Sequence, residues 1–292
     1  ESPPLALAII HFSTCSISIV CGMILLGITL TSASRNIASY AILLRCVTLA
    51  EITTSIGAFM VFPRIVPLGL ENVACLISGP ISSLTDNPFF FYVLELHGTV
   101  QYNVFMTVCF CYRYYVLKHL IPTGRNTWMF SFCAFSLTFI VFVRYVPQYA
   151  AFQDSYIGLN ELCGTRKEEG DIIPALIGIP RSVGAIAIIE VMITASAQCF
   201  VNIAVGRAIF RHLNDKSHAL SERVRSTHRQ FAVALALQAV IGQLIIFAAW
   251  CYGLGQLDIV RSPFLEYCTH MVCEFCIATS PVITLIYVKP YR

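Results

Sequence analysis

Along the chain, apolar residues gather into seven long runs separated by polar stretches, at about residues 5–30, 40–62, 88–117, 127–146, 181–210, 230–252 and 264–288. A helix that crosses a bilayer's hydrocarbon needs about 20 residues at about 1.5 Å of rise each, and every run reaches that length. The punctuation agrees: Asn87 and Pro88 offer a cap and a first-turn proline for the third helix, and Pro147 stops the fourth. A Pro- and Gly-bearing stretch, 63–87, separates the second and third runs. A long polar segment, 148–180, with Glu161, Glu168, Glu169 and Asp171, separates the fourth and fifth. The pattern predicts an all-α membrane protein, a single seven-helix transmembrane domain spanning residues 1–292, without internal repeats or a soluble domain.

Composition reinforces the pattern: 57% of the residues are hydrophobic and only 12% charged, and the mean hydropathy of +0.73 is far above that of a soluble domain. Charge adds an orientation, because lysine and arginine in short loops stay on the cytoplasmic side. Twelve of them fall in segments after the first, third, fifth and seventh helices, and five in the opposite segments. Odd-numbered helices are therefore expected to run inward, with the N-terminus outside. The net charge of +3 follows from this bias and gives no reason to invoke nucleic acid. The chain starts without Met and ends at Lys289-Pro290-Tyr291-Arg292, so a fragment lacking part of both tails is expected. Its first run would serve as an uncleaved anchor.

Of the 13 cysteines, most lie inside helices, where Cys acts as a small hydrophobe. Cys75 and Cys163 lie in segments expected outside, where a disulfide persists. Such a bridge would tie the second-to-third connection to the fourth-to-fifth; free thiols, or a pairing with Cys268, are the alternatives. No loop carries matched Cys-x-x-Cys pairs, and Cys273 and Cys276 sit inside a helix, so no metal centre is expected.

Four motifs add a family likeness: "CYRYYVL" at 111–117, "SGP" at 78–80, "ALALQAVIGQ" at 234–243 and "SPVITLIYVKPYR" at 280–292. In their order and placement the chain resembles G-protein-coupled receptors, specifically the nematode serpentine chemoreceptors of the Str, Srh and Srd group, and "YRYYVL" and "PYR" lean it toward Srd. The resemblance implies a seven-transmembrane bundle of the G-protein-coupled receptor type in the plasma membrane of sensory neurons or their cilia. It would bind a small chemical cue outside and activate a heterotrimeric G protein inside, with room for a partner receptor.

Arg113 is a permanent cation at the end of a greasy helix, and it must either snorkel to the headgroups or find partners within the bundle. In rhodopsin-like receptors an acid precedes this arginine; here Tyr112 does. Arg113 would then be an inner switch, or an anchor among Tyr112, Tyr114 and Tyr115 in the interfacial belt. The stretch after the fifth helix offers Arg211, Arg223, Arg225 and Arg229 as a coupling surface or as contacts to membrane lipid. Pro281 removes a backbone hydrogen bond and marks a candidate hinge in the seventh helix; Thr284 replaces the tyrosine that the resemblance leads one to expect.

For the ligand pocket the candidates are Glu95, His97, Gln101, Glu190, His270 and Glu274. Glu95 stands roughly 27 Å from Arg113 along the third helix, near the external mouth. Ionisable groups at membrane depth usually face the interior or water, so these acids would meet a ligand or, protonated, bond to neighbouring helices. Glu51, midway along the second helix, is a conceivable cation site or a packing residue. Arg45 and Arg144 are expected to snorkel inward and outward.

Other seven-helix classes fit less well. A transporter would show paired broken helices or repeats, and neither is visible. His97 and His270 lack a second His or Asp at i+4 to complete a helical metal pair, so no hydrolytic centre, catalytic residue or cofactor is expected. An opsin needs a Lys within the seventh helix, and Lys289 lies beyond it. A transporter or a ligand-gated ion channel remains the alternative to a receptor.

Overall fold

The computed structural model describes residues 5–31, 38–67, 73–84, 89–119, 122–145, 175–176, 183–215, 222–257, 259–260 and 262–287. Helices α1 (Leu5–Thr31), α2 (Ala38–Val61), α3 (Phe89–Lys118), α4 (Gly124–Tyr145) and α5 (Val183–Asp215) come first. They are followed by α6 (Glu222–Gly242), α7 (Leu244–Gln256) and α8 (Pro263–Tyr287). Among the described residues these helices make seven spans, α6 and α7 forming one span broken at Gln243. By length and composition five of the spans are apolar enough to cross a membrane. Of the other two, α3 is 30 residues long and carries Glu95, His97, Gln101, Asn103 and Arg113, and α4 is 22 residues long.

The sixth span departs from the single helix expected at 230–252. At Gln243 the backbone N–H turns to the carbonyl of Val240 at 3.2 Å, and the N–H of Ile246 to the carbonyl of Gln243 at 3.0 Å. Ala239, which would have accepted from Gln243 in an unbroken helix, receives that residue's own side-chain Nε2 at 3.0 Å. The Cys199 thiol of α5 donates to Gln243 Oε1. The break is thus satisfied internally, as a membrane interior requires. The fifth span also runs past the expected end, with its basic residues on a helical extension that reaches Asp215.

The stretch after α2, read from sequence only as an interruption, forms an antiparallel hairpin of β1 (Pro63–Pro67) and β2 (Val73–Ile77), with Ile65 opposite Cys75. A third strand, β3 (Ala175–Leu176), pairs with β2 through Val73↔Leu176 and Ala74↔Ala175. The connection after α4 is therefore joined to the hairpin through backbone hydrogen bonds. Cys163 lies outside the described residues, as does the side chain of Cys75, and the expected bridge falls there. Cys268 and Cys251 are free.

The core fills the half of the bundle toward the start of α2 and the ends of α3 and α5, where Leu25, Leu43, Tyr102, Phe105, Met106, Phe110, Ile209, Phe231, Leu235 and Ile277 pack together. Apolar side chains also cover the outside: Ile9, Ile17, Val20 and Met23 on α1, Phe130 and Phe132 on α4, and Trp250 on α7 are all exposed. In a bundle surrounded by lipid that is the favourable arrangement, and helix association then depends on close packing. At the α2–α3 contact a Cβ on Gly98 would lie 2.2 Å from Thr54 Oγ1 and 3.0 Å from the Thr54 backbone nitrogen. One on Gly57 would lie 2.9 Å from both Phe91 O and Glu95 N. The two backbones touch because neither position has a side chain, and this approach sets the position of Glu95.

Candidate functional site: a buried acid–histidine layer and an arginine clamp

Two constellations stand at opposite ends of the bundle. Toward the hairpin end, α3 and α8 place Glu95 and His270 face to face, with Nδ1 of the histidine 2.8 Å from Oε1 of the carboxyl. One helical turn further along α8, Glu274 meets His11 of α1, and Nδ1 lies 2.7 Å from Oε2. All four residues are buried, and Glu95 and His270 lie within electrostatic reach of Glu274. Each pair satisfies half of each partner. His11 Nε2, Glu95 Oε2, His270 Nε2 and Glu274 Oε1 are buried without a hydrogen-bond partner. Aromatic rings enclose the layer: Phe62 stacks on His11 at 4.3 Å and on Tyr267 at 5.1 Å, and Tyr92 lies 5.5 Å from His270. Phe62 reaches this position from a left-handed backbone, φ 40°, at the end of α2. Beside it, Arg64 of β1 pairs with Glu266 of α8 at 2.6 Å.

The residues named from sequence for a single pocket divide between two places. Glu95, His270 and Glu274 come together in the layer. His97 and Gln101 face α4 instead, where Gln101 bonds Thr138 and lies 3.4 Å from His97. They line an apolar cleft of about 250 Å³ between α2, α3 and α4, together with Cys46, Trp128, Ser131 and Phe135. The reason is helical geometry: positions 95 and 97 stand about 200° apart around a helix. Glu190 belongs to α5, and its side chain lies outside the described residues. His11, and Cys15 one turn on, are not among the pocket residues that the sequence suggests. The signal was there, two ligand-type residues at i and i+4 on one helix.

At the other end, Arg113 is only 5% exposed, so it does not snorkel. Its guanidinium carbon lies 3.6 Å from the centre of the Tyr40 ring of α2 and 3.7 Å from that of Phe231 of α6. The two rings meet edge to face at 4.8 Å. Nε and Nη2 of Arg113 have no hydrogen-bond partner, which leaves the aromatic faces as the observed restraint on those groups. Tyr112 is half-buried, its ring 6.0 Å from that of Tyr40. Tyr115 is exposed, and Tyr114 lies under the ammonium of Lys118 at 4.4 Å. Arg211 and Arg229 are exposed; Arg223 and Arg225 lie on α6, with side chains outside the described residues. Arg45 bonds the carbonyl of Thr29 at the end of α1, and the side chain of Arg144 lies outside the described residues.

Between the two ends runs a polar seam. Gln238 Nε2 of α6 donates to the carbonyl of Ser280 at 3.0 Å, its Oγ at 2.9 Å and Thr284 Oγ1 at 3.0 Å. Pro281 is therefore flanked by groups held from α6. Glu51 is buried against Ser280 with one carboxyl oxygen unpartnered, a placement that suits helix packing as well as it suits a cation.

A seven-helix bundle with a buried arginine at the end of its third span and a proline in its seventh defines the class of the G-protein-coupled receptors. The chain belongs to the Srd family: the family model described as "Serpentine type 7TM GPCR chemoreceptor Srd" matches residues 7–292. It is therefore a multi-pass membrane protein of a receptor family rather than an enzyme family. Among curated relatives it is 25% identical to serpentine receptor class delta-18 of Caenorhabditis elegans, over 76% of this chain and 65% of that one. It is 20% identical to class delta-1 of the same organism over 95% of this chain and 76% of the other, and 23% identical to class delta-3 over 97% and 85%. The matched region thus spans just under two thirds of the class delta-18 receptor. Squid rhodopsin superposes with a TM-score of 0.60 at 11% identity, covering all of this chain and 85% of that one, a likeness of fold alone.

Proposed function

We propose that this chain is a chemosensory receptor that binds a small external cue at its hairpin end and activates a heterotrimeric G protein at its Arg113 end. The observation that carries the reading is the aromatic clamp, since Arg113 joins α2, α3 and α6 through Tyr40 and Phe231. An outward movement of α6 would take Phe231 away and free the guanidinium for an anionic or carbonyl-bearing partner. The basic residues along the ends of α5 and α6 would surround that partner or meet lipid headgroups. Their excess at this end also supports an external N-terminus, in the plasma membrane of sensory neurons or their cilia.

For the cue, Glu95 and Glu274 already have histidine partners on one oxygen each, so a ligand would bond the oxygens left without a partner, Glu95 Oε2 and Glu274 Oε1, rather than neutralise a bare charge. His97 and Gln101 offer a second, mostly apolar place for it, and Glu190 remains a pocket candidate on α5. Whatever the cue, a ligand that favours the G-protein-binding state is itself bound more tightly when the G protein is present. The test is reconstitution with candidate G proteins, measuring nucleotide exchange across a panel of small molecules. Cue-dependent exchange is expected; solute flux or ion current without exchange would overturn the reading in favour of a transporter or channel.

A further inference from the structure

We propose that His11, Cys15 and Glu274 form a binding site for one divalent transition-metal ion, Zn²⁺ being the best fit. His11 and Cys15 are four residues apart and share a face of α1, and Glu274 comes from α8, 263 positions along the chain from His11. Among the described residues these three bring one ligand atom each to within 4.8 Å of one another, and all three are buried. Two further observations point to a ligand. Glu274 Oε1 is buried without a hydrogen-bond partner, so the direct His–Glu hydrogen bond leaves capacity on the carboxylate. The site is also closed by the stacked ring of Phe62, 4.3 Å from His11, which shields it from bulk solvent.

The donor chemistry selects the ion. A thiol among the ligands disfavours Ca²⁺ and Mg²⁺, which take oxygen ligands, whereas nitrogen, sulfur and carboxylate together suit Zn²⁺. Charge selects it as well. One thiolate and one carboxylate cancel a divalent cation, so the occupied site is formally neutral, as a low-dielectric interior demands. On binding, Cys15 gives its thiol proton to solvent and its sulfur takes the ion. His11 presents the Nδ1 lone pair with its proton on Nε2, and the carboxylate of Glu274 moves from the imidazole to the metal. Tetrahedral zinc holds N, O and S donors about 3.3 to 3.6 Å apart. The present separations, from 2.7 Å between histidine and carboxyl up to 4.8 Å, reach this by small side-chain rotations. The fourth position would be taken by water, and the ion would fasten α1 to α8.

Cobalt(II) is a spectroscopic probe for this site in the purified full chain, stripped first with a chelator. A near-ultraviolet thiolate-to-cobalt charge-transfer band saturating at one ion per chain is expected. Zn²⁺ should displace it stoichiometrically and raise the melting temperature. Cys15→Ser should abolish the band, while Cys21→Ser, about 1.7 turns further along α1, should leave it intact. If Glu274→Gln fails to fold, the unmutated chain and the two cysteine variants decide the matter. A stripped chain that shows no thiolate–cobalt band, or a band that survives Cys15→Ser, overturns the proposal. Neither result bears on whether the receptor couples to a G protein.

Discussion

The Arg113 guanidinium carbon lies 3.6 Å from the centre of the Tyr40 ring and 3.7 Å from that of Phe231, in the corner the two rings make by meeting edge to face. Cation–π contacts of this kind contribute about 0.5 to 2 kcal/mol, so removing one ring should shift a resting equilibrium by about 2- to 30-fold. Phe231→Leu keeps the apolar volume and loses the π face. It is expected to raise cue-independent nucleotide exchange within that range, and exchange equal to that of the parent would remove the clamp from the mechanism.

Arg113 itself should be needed in both states. Arg113→Ala is expected to abolish cue-driven exchange. Arg113→Lys should restore part of it, because an ammonium keeps the charge but lacks the planar, stacking, multi-donor head. Exchange driven at the parent level by the alanine variant would show that the inner switch lies elsewhere.

The Glu95–His270 pair makes a prediction about stability. His270→Ala leaves a buried carboxyl without its partner, at a cost of about 1 to 3 kcal/mol, to be read as a lower melting temperature in detergent. Adding Glu95→Leu to that variant should recover part of the loss, since an absent polar group costs less than an orphaned one. A double variant that is the sum of the two single losses would mean that the residues do not act as a pair.

Glycine at the α2–α3 contact gives a second stability prediction with its own control. Gly98→Ala puts a methyl on the Thr54 backbone and should cost about 1 to 3 kcal/mol through overpacking. Gly27→Ala meets nothing within 4 Å and should be neutral or slightly stabilising. Equal melting temperatures for the two variants would contradict the close approach of the helices.

The bundle was legible in the sequence because membrane helices announce themselves by length and apolarity, each run on its own. The candidate site was legible only residue by residue. Glu95, His270 and Glu274 stood out as ionisable groups at membrane depth, yet which histidine faces which acid depends on the rotation of α1, α3 and α8, which no local pattern encodes. His11 was hidden in one of the most apolar runs of the chain. The restraint on Arg113 was sought among its neighbours Tyr112, Tyr114 and Tyr115, and the structure supplies it from Tyr40 and Phe231, on two other helices. Aromatic residues are so common in membrane spans that neither is distinctive in the sequence. The break at Gln243 was invisible for a different reason: glutamine is an ordinary helix former, and only its side-chain bonds to Ala239 and Cys199 show that it replaces backbone pairing.

That break divides the sixth span into two rods. Both pack against α8, the lower one, α6, being tied to it by Gln238 at Ser280 and Thr284 and carrying Phe231 beyond that tie. Phe231 lies roughly 18 Å along the helix from Gln243, so a tilt of about 15° at this joint would move its ring by roughly 5 Å and out of the cation–π reach of about 6 Å. Under the proposed switch, the far end of the molecule would release Arg113 while the half that bears the acid–histidine layer and the proposed metal site keeps its geometry, with a single glutamine as the pivot between them.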